Sequence, residues 1–209
     1  MTNTSSRGGA ATGRESWSKI ADGVSPWTKH VYDVQGRMVE STTYRHGSTS
    51  YVLASTTQVY DDTSAGRGRL VASRVHEADG YGGLTGNYLE TGYAYDTAGR
   101  QFNSSTPGRG HQLTFYDAVG RPARSLLAAE DNGTDAVNDD VVATETVYGY
   151  DAADNVIWTE TYCRRHDASA TGTGLLSDNP AWAEVRYAAT WYDNAHRPTH
   201  AADYGDQAP

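Results

Sequence analysis

Short runs of alternating apolar and polar residues, each closed by a turn signal, fill most of this chain. Tyr93-Ala94-Tyr95 and Tyr148-Gly149-Tyr150 each place two rings on one side of an extended strand. The segments after the turns carry Met38 and Val39, Phe102, Leu126 and Leu127, and Val156, Ile157 and Trp158. The pattern predicts strands near 28–34, 37–45, 50–61, 69–76, 88–96, 100–105, 111–117, 121–128, 143–151, 155–163, 185–193 and 197–203. Ala78 through Gly83 is a turn cluster, and 130–140 and 165–179 read as loops. Pro180-Ala181-Trp182-Ala183-Glu184 reads as a short helix start, with Asp178 or Asn179 near its cap. No run approaches the roughly 18 apolar residues of a membrane-spanning helix.

The turns share one sequence. Tyr32-Asp33-Val34-Gln35-Gly36-Arg37 returns as Tyr95-Asp96-Thr97-Ala98-Gly99-Arg100 and as Tyr116-Asp117-Ala118-Val119-Gly120-Arg121. A pattern repeated this closely fixes the architecture before any single residue is interpreted. Tyr ends a strand, and Asp caps the bend by accepting backbone N–H groups. Gly takes a left-handed position, and Arg opens the return strand within reach of the Asp carboxylate.

Three degenerate copies follow the same logic. Tyr60-Asp61 precedes a stretched turn that reaches Gly66-Arg67. Tyr150-Asp151 is followed by Asp154 and Asn155 in the Gly and Arg places, and Tyr192-Asp193 by His196 and Arg197. Asp, Asn and His are the residues other than Gly that enter positive φ most readily. All copies are therefore compatible with one left-handed turn position. The spacing is uneven: 21 residues separate Tyr95 from Tyr116, and 42 separate Tyr150 from Tyr192. Strict blade periodicity is missing, which favours an open or spiralling sheet over a propeller.

Composition sharpens this picture. Hydrophobic residues are 37% of the chain, and two Phe accompany 15 Tyr and 5 Trp. Aromatic residues with a polar handle suit sheets that are wet on one face. The net charge of −9 argues against a nucleic-acid footprint. Arg dominates the cations, which suits fork-shaped pairing with Asp as well as a biased codon usage. A lone cysteine, Cys163, excludes an internal disulfide. The N-terminus has no apolar signal-peptide core, so export would use a specialised secretion system.

The Tyr-Asp-x-x-Gly-Arg motif resembles the signature of the YD-repeat, or Rhs-repeat, family, over roughly residues 28–203. That family includes the Rhs polymorphic toxins, the shell subunits of Tc toxins and the teneurins. The resemblance implies a long antiparallel strip spiralling into a hollow shell, which in bacterial members encloses a toxic polypeptide. It implies a structural role for the motif residues, with the ring packed between neighbouring strands and the carboxylate fixing the turn. Bacterial members usually carry more repeats, and often end in a self-cleaving segment rich in Asp-Pro-x-Gly. No Asp-Pro pair occurs here, so that role has no residues to fall on.

Catalytic candidates are weak. Cys163-Arg164-Arg165-His166 sets a thiol beside cations, yet no base or oxyanion site is implied. His196 and His200 would suit a metal only on a helix, and they fall in a turn and a strand. The acidic stretch from Asp131 to Asp140 suits calcium by chemistry but lacks EF-hand spacing. Gly108-Arg109-Gly110 and Gly80 through Gly83 match no phosphate-binding fingerprint.

The expectation is an all-β chain with a loosely held segment over 1–25, a repeat-sheet domain over 26–205 and a tail over 206–209. Its expected function is a non-enzymatic shell segment without cofactor or metal, partnered by the rest of a shell or an enclosed toxin polypeptide. The alternative is a module that binds a glycan or surface partner through exposed Tyr and Trp, Trp158 among them.

Overall fold

Hairpins form wherever the repeat supplies a turn. A computed structural model describes residues 14–19, 24–63, 68–130, 137, 140–168 and 172–206. The strands are β1 (Glu15–Lys19), β2 (Trp27–Tyr32), β3 (Met38–Tyr44), β4 (Val52–Asp61), β5 (Arg69–Ala78), β6 (Leu84–Tyr95) and β7 (Gln101–Ser105). They continue as β8 (His111–Tyr116), β9 (Pro122–Glu130), β10 (Val141–Tyr150), β11 (Val156–Arg164), β12 (Ala183–Tyr192) and β13 (Pro198–Gly205). The protein is all-β and antiparallel, with sheet order equal to chain order and no closure into a barrel. Among the described residues no helix is long and apolar enough to cross a membrane.

Two expectations need correction. Of the segment over 1–25, residues 1–13 and 20–23 lie outside the described residues, and the described part contains β1, which pairs with β2 from Glu15↔Val31 to Lys19↔Trp27. Glu15 binds Lys29 at 2.7 Å, and the Trp17 ring sits 5.8 Å from that of Tyr44. The short helix is one 3-10 turn, Pro180–Trp182, and Asn179 gives it no side-chain cap. The Asn179 amide donates instead to the Leu175 carbonyl at 3.1 Å.

The chain divides into two compact units at Tyr93/Ala94. The first unit is a sheet with little dry interior. Among its described residues the buried side chains are small: Thr42, Ser55 and Ala72. Thr42 and Ser55 are cross-strand partners whose hydroxyls lie 3.0 Å apart. Leu53, Val75, Tyr88 and Leu89 stay exposed.

The second unit has a core. One row of directly opposed residues crosses it: Leu113↔Leu126, Leu126↔Glu145, Glu145↔Tyr162 and Tyr162↔Val185. Opposed residues share a face, so the row forms a single stripe. The segment from Gly172 to Trp182 covers it and packs Leu176 against Leu113, Leu126, Val142 and Tyr162. The cluster is dry, with Leu113, Val142 and Leu176 fully buried.

Polar groups pin the cover. Glu145 is fully buried and accepts from Ser177 N–H at 2.9 Å and from Ser177 Oγ at 2.7 Å. Arg124 Nε balances its charge at 3.2 Å. Gly174 N–H donates to the Asp140 carbonyl at 2.9 Å. Arg164 reaches the Val142 and Gly172 carbonyls at 2.6 and 2.8 Å. A buried carboxylate persists only when paired and hydrogen-bonded in this way.

Candidate functional site

Five of the six repeat turns are built by the same bonds. Gly36 N–H donates to the Asp33 carbonyl at 3.1 Å, and Asp33 N–H donates to the Arg37 carbonyl at 2.9 Å. This is a four-residue turn whose last residue is left-handed, a common hairpin loop. The same pair of bonds recurs at Asp96, Asp117, Asp151 and Asp193. The left-handed residues Gly36, Gly99 and Gly120 have φ of 84°, 90° and 98°. Asp154 and His196 follow at 65° and 60°, and are the positive-φ residues other than Gly among the described residues.

The Asp carboxylate holds both chains of its own turn. Asp33 Oδ1 accepts Arg37 N–H at 2.9 Å, and Oδ2 accepts the guanidinium at 2.6 Å from both Nε and Nη2. Asp96 holds Arg100, Asp117 holds Arg121 and Asp193 holds Arg197 with the same pattern. Asn155 substitutes by donating its amide to Asp151 Oδ2 at 2.8 Å. Backbone and guanidinium bonds from Arg100 hold the Asp96 carboxyl below the ordinary carboxylate range, against the opposing effect of burial. Asp193 is lowered by Arg197, and Asp151 by Asn155. For Asp33 and Asp117 burial pushes upward, and the bonds from Arg37 and Arg121 outweigh it.

The stretched copy closes one pair later than its sequence suggested. Gly66 and Arg67 lie outside the described residues. Gly68 takes the left-handed position at φ 71° and donates to the Asp61 carbonyl at 2.8 Å. Arg69 is the register partner of Asp61.

The side chains also reach from one repeat to the next. The Arg37 guanidinium, held by Asp33, lies 4.4 Å over the Tyr60 ring. The Tyr60 hydroxyl returns a hydrogen bond at 3.0 Å to the carbonyl of Met38, the residue after that Arg. Arg100 lies 4.3 Å over Tyr116, whose hydroxyl donates to the Gln101 carbonyl at 2.8 Å. Arg121 lies 4.4 Å over Tyr150, whose hydroxyl donates to the Pro122 carbonyl at 2.7 Å. Each is a cation over an aromatic face coupled to a phenol bond. The next turn adds an acid: Asp62 binds Arg37 Nη2 at 2.7 Å, and Asp154 binds Arg121 Nη1 at 2.6 Å. Arg14 lies 5.2 Å over Tyr32, as Arg37 lies over Tyr60. Gly13-Arg14 was a legible half-motif, and sequence reading missed it.

The other candidates are not drawn together. Cys163 sits near the end of β11, opposite Thr144 and Glu184, while Arg164 turns to the Val142 and Gly172 carbonyls. His196 Nδ1 lies 3.2 Å from the Asn155 amide, and His200 pairs with Trp191 on β12. Among the described residues no three His, Cys, Asp or Glu side chains group as a metal site. Most of the acidic loop lies outside those residues. Its last member, Asp140, is buried with Oδ2 2.9 Å from His111 Nε2, a pairing the sequence did not announce. Trp158 lies across Gly149, where a Cβ would meet the indole nitrogen at 2.0 Å. An open cleft of about 800 Å³ lies beside the second unit's core, lined by Phe115, Arg124, Val147, Leu175, Asp178 and Asn179 among others.

No family model and no curated protein matches this chain. Among solved structures it is similar to a Tc holotoxin pore of Photorhabdus luminescens carrying a TccC3 D651A mutation. The TM-score is 0.35 and the identity 11%, over 96% of this chain and 12% of that one. It is also similar to the crystal structures of TcdB2-TccC3-Cdc42 and TcdB2-TccC3. Each has a TM-score of 0.26 and 12% identity, over 85% of this chain and 13% of that one. The chain therefore spans about an eighth of the length of these structures.

Two outcomes follow from the turn geometry. Gly120 has φ of 98°, and a Cβ there would stand 3.2 Å from Arg100 Nη1. Gly120→Val is expected to cost about 1–3 kcal/mol in urea unfolding, and Gly120→Asn less. An unchanged midpoint for Gly120→Val would contradict the turn. The repeat carboxyls have folded pKa values below their unfolded value of about 3.9, so their stabilisation is present above that value. It is lost as pH falls through the depressed folded values. The melting midpoint should hold from pH 7 to about 5 and fall below about 4, with a shallower acid limb in Asp117→Asn.

Proposed function

We propose that this chain is a non-catalytic wall segment of an Rhs-like shell that encloses or scaffolds another polypeptide. The observation that carries this reading is where the motif spends its chemistry. Each Asp is committed to its own turn, and Arg37, Arg100 and Arg121 bridge to the Tyr of the next repeat. The conspicuous charged and aromatic residues thus join strand to strand. The sparse core of the first unit fits a wall, which needs lateral cohesion more than a dry centre.

A second reading, as a glycan-binding module, draws on the cleft beside Phe115, which is 40% exposed. Aromatic faces next to amide and carboxylate groups suit hydroxylated rings. The wall reading accounts for the bridges that Arg37, Arg100 and Arg121 make to the next Tyr, and the glycan reading accounts for none of them.

The test is shielding. A tagged chain isolated as its native complex should carry a second polypeptide that resists trypsin while the complex is intact. That polypeptide should be digested once mild denaturant opens the complex. A chain that purifies without shielding any polypeptide would contradict the proposal.

A further inference from the structure

The cleft of the second unit has two fixed walls. One is a row of directly opposed residues, Phe115↔Arg124 and Arg124↔Val147, on one face of β8, β9 and β10. The other is the covering segment, which contributes Leu175, Asp178 and Asn179. Ser177, between Leu175 and Asp178, is bound to the buried Glu145 at 2.9 and 2.7 Å. Both walls are therefore in place before a ligand arrives, which lowers the cost of binding one. The space is about 800 Å³, within the range of small-molecule sites.

The lining sorts into apolar surface, committed polar groups and one charge left over. Phe115, Ala123, Val147 and Leu175 supply side chains that form no hydrogen bond, and Phe115 is 40% exposed. The Asn179 amide already donates to the Leu175 carbonyl at 3.1 Å. Arg124 Nε lies 3.2 Å from Glu145 Oε1, so these two charges offset each other. Asp178 differs from both. It is exposed, and among the described residues its carboxylate has no hydrogen-bond or ion-pair partner.

We propose that this cleft binds a small organic cation, a primary ammonium carried on an aromatic or alkyl body. The body lies on Phe115, Val147 and Leu175, and the ammonium donates to Asp178. Beside apolar walls an opposite charge gains more from Asp178 than it would in open water. A chain of net charge −9 also draws cations towards it. An anion of the same size would be repelled by Asp178 and would find Arg124 already engaged. A sugar ring would set its hydroxyls against side chains that cannot bond them.

The site needs neither a neighbouring wall nor a cargo, so it can fail while the wall-segment reading stands, and the reverse. Three probes share a phenyl ring and differ at the polar end: phenethylamine, hydrocinnamate and phenyl glucoside. Each is titrated into the full isotope-labelled protein, and binding is read from the amide shifts of Arg124, Val147 and Leu175. Phenethylamine is expected to bind saturably, about fivefold tighter than either of the others. Asp178→Asn keeps the shape of the side chain and should abolish that preference. Glu184→Gln removes the same charge from β12, outside the cleft, and should leave the affinity unchanged. Equal binding of the three probes, a preference for hydrocinnamate or the glucoside, no saturable binding, or an equal loss in both variants would overturn the proposal.

Discussion

An arginine held by the aspartate of its own turn, and laid on the tyrosine of the next, is the contact on which this architecture depends. A hairpin alone is marginal in water, and a long sheet needs something to fix each hairpin to its neighbour. The Asp removes the conformational freedom of the guanidinium first, so that stacking on the next ring costs little further ordering. The phenol then locks register by reaching one particular carbonyl. A slip of one residue would turn the Tyr to the other face and break both contacts.

This contact explains a composition that otherwise looks poor for folding. Phenylalanine would supply the ring without the hydroxyl, and the chain has two Phe against 15 Tyr. Lysine would supply charge without the fork, and the repeat sites use Arg or Asn. Lateral cohesion of this kind lets the first unit stand where Thr42, Ser55 and Ala72 are the buried side chains among its described residues. The second unit adds a dry cluster by folding the segment from Gly172 to Trp182 over the stripe from Leu113 to Val185. Glu145 is the anchor there, as a buried acid shared between Arg124 and Ser177.

Much of this was legible in the sequence because the turn is a local event. Gly36, Gly99 and Gly120, with Asp154 and His196 in their place, declare the left-handed position by residue type alone. The Asp–Arg pair spans four residues, so spacing reveals it. The contact between repeats was not legible, because Arg37 and Tyr60 are brought together by strand register across a loop of variable length. Arg14 was missed for the same reason: half a motif carries no signal until Tyr32 is seen beneath it. Glu145, Asp140 and His111 read as ordinary strand or loop residues, since only the covering segment buries them. The stretched copy shows the limit of pattern matching, for the chain continues past Gly66-Arg67 and closes with Gly68 and Arg69.

A double-mutant cycle between Arg121 and Tyr150 tests the central claim most directly. Arg121→Ala, Tyr150→Ala and the double variant are unfolded in urea beside the wild type. Coupling through the contact predicts that the double variant loses less stability than the two single variants summed, by more than the roughly 0.3–0.5 kcal/mol within which independent sites add. Additive losses within that limit would mean that the repeats are joined by backbone pairing alone, and that the shared motif serves only its own turn.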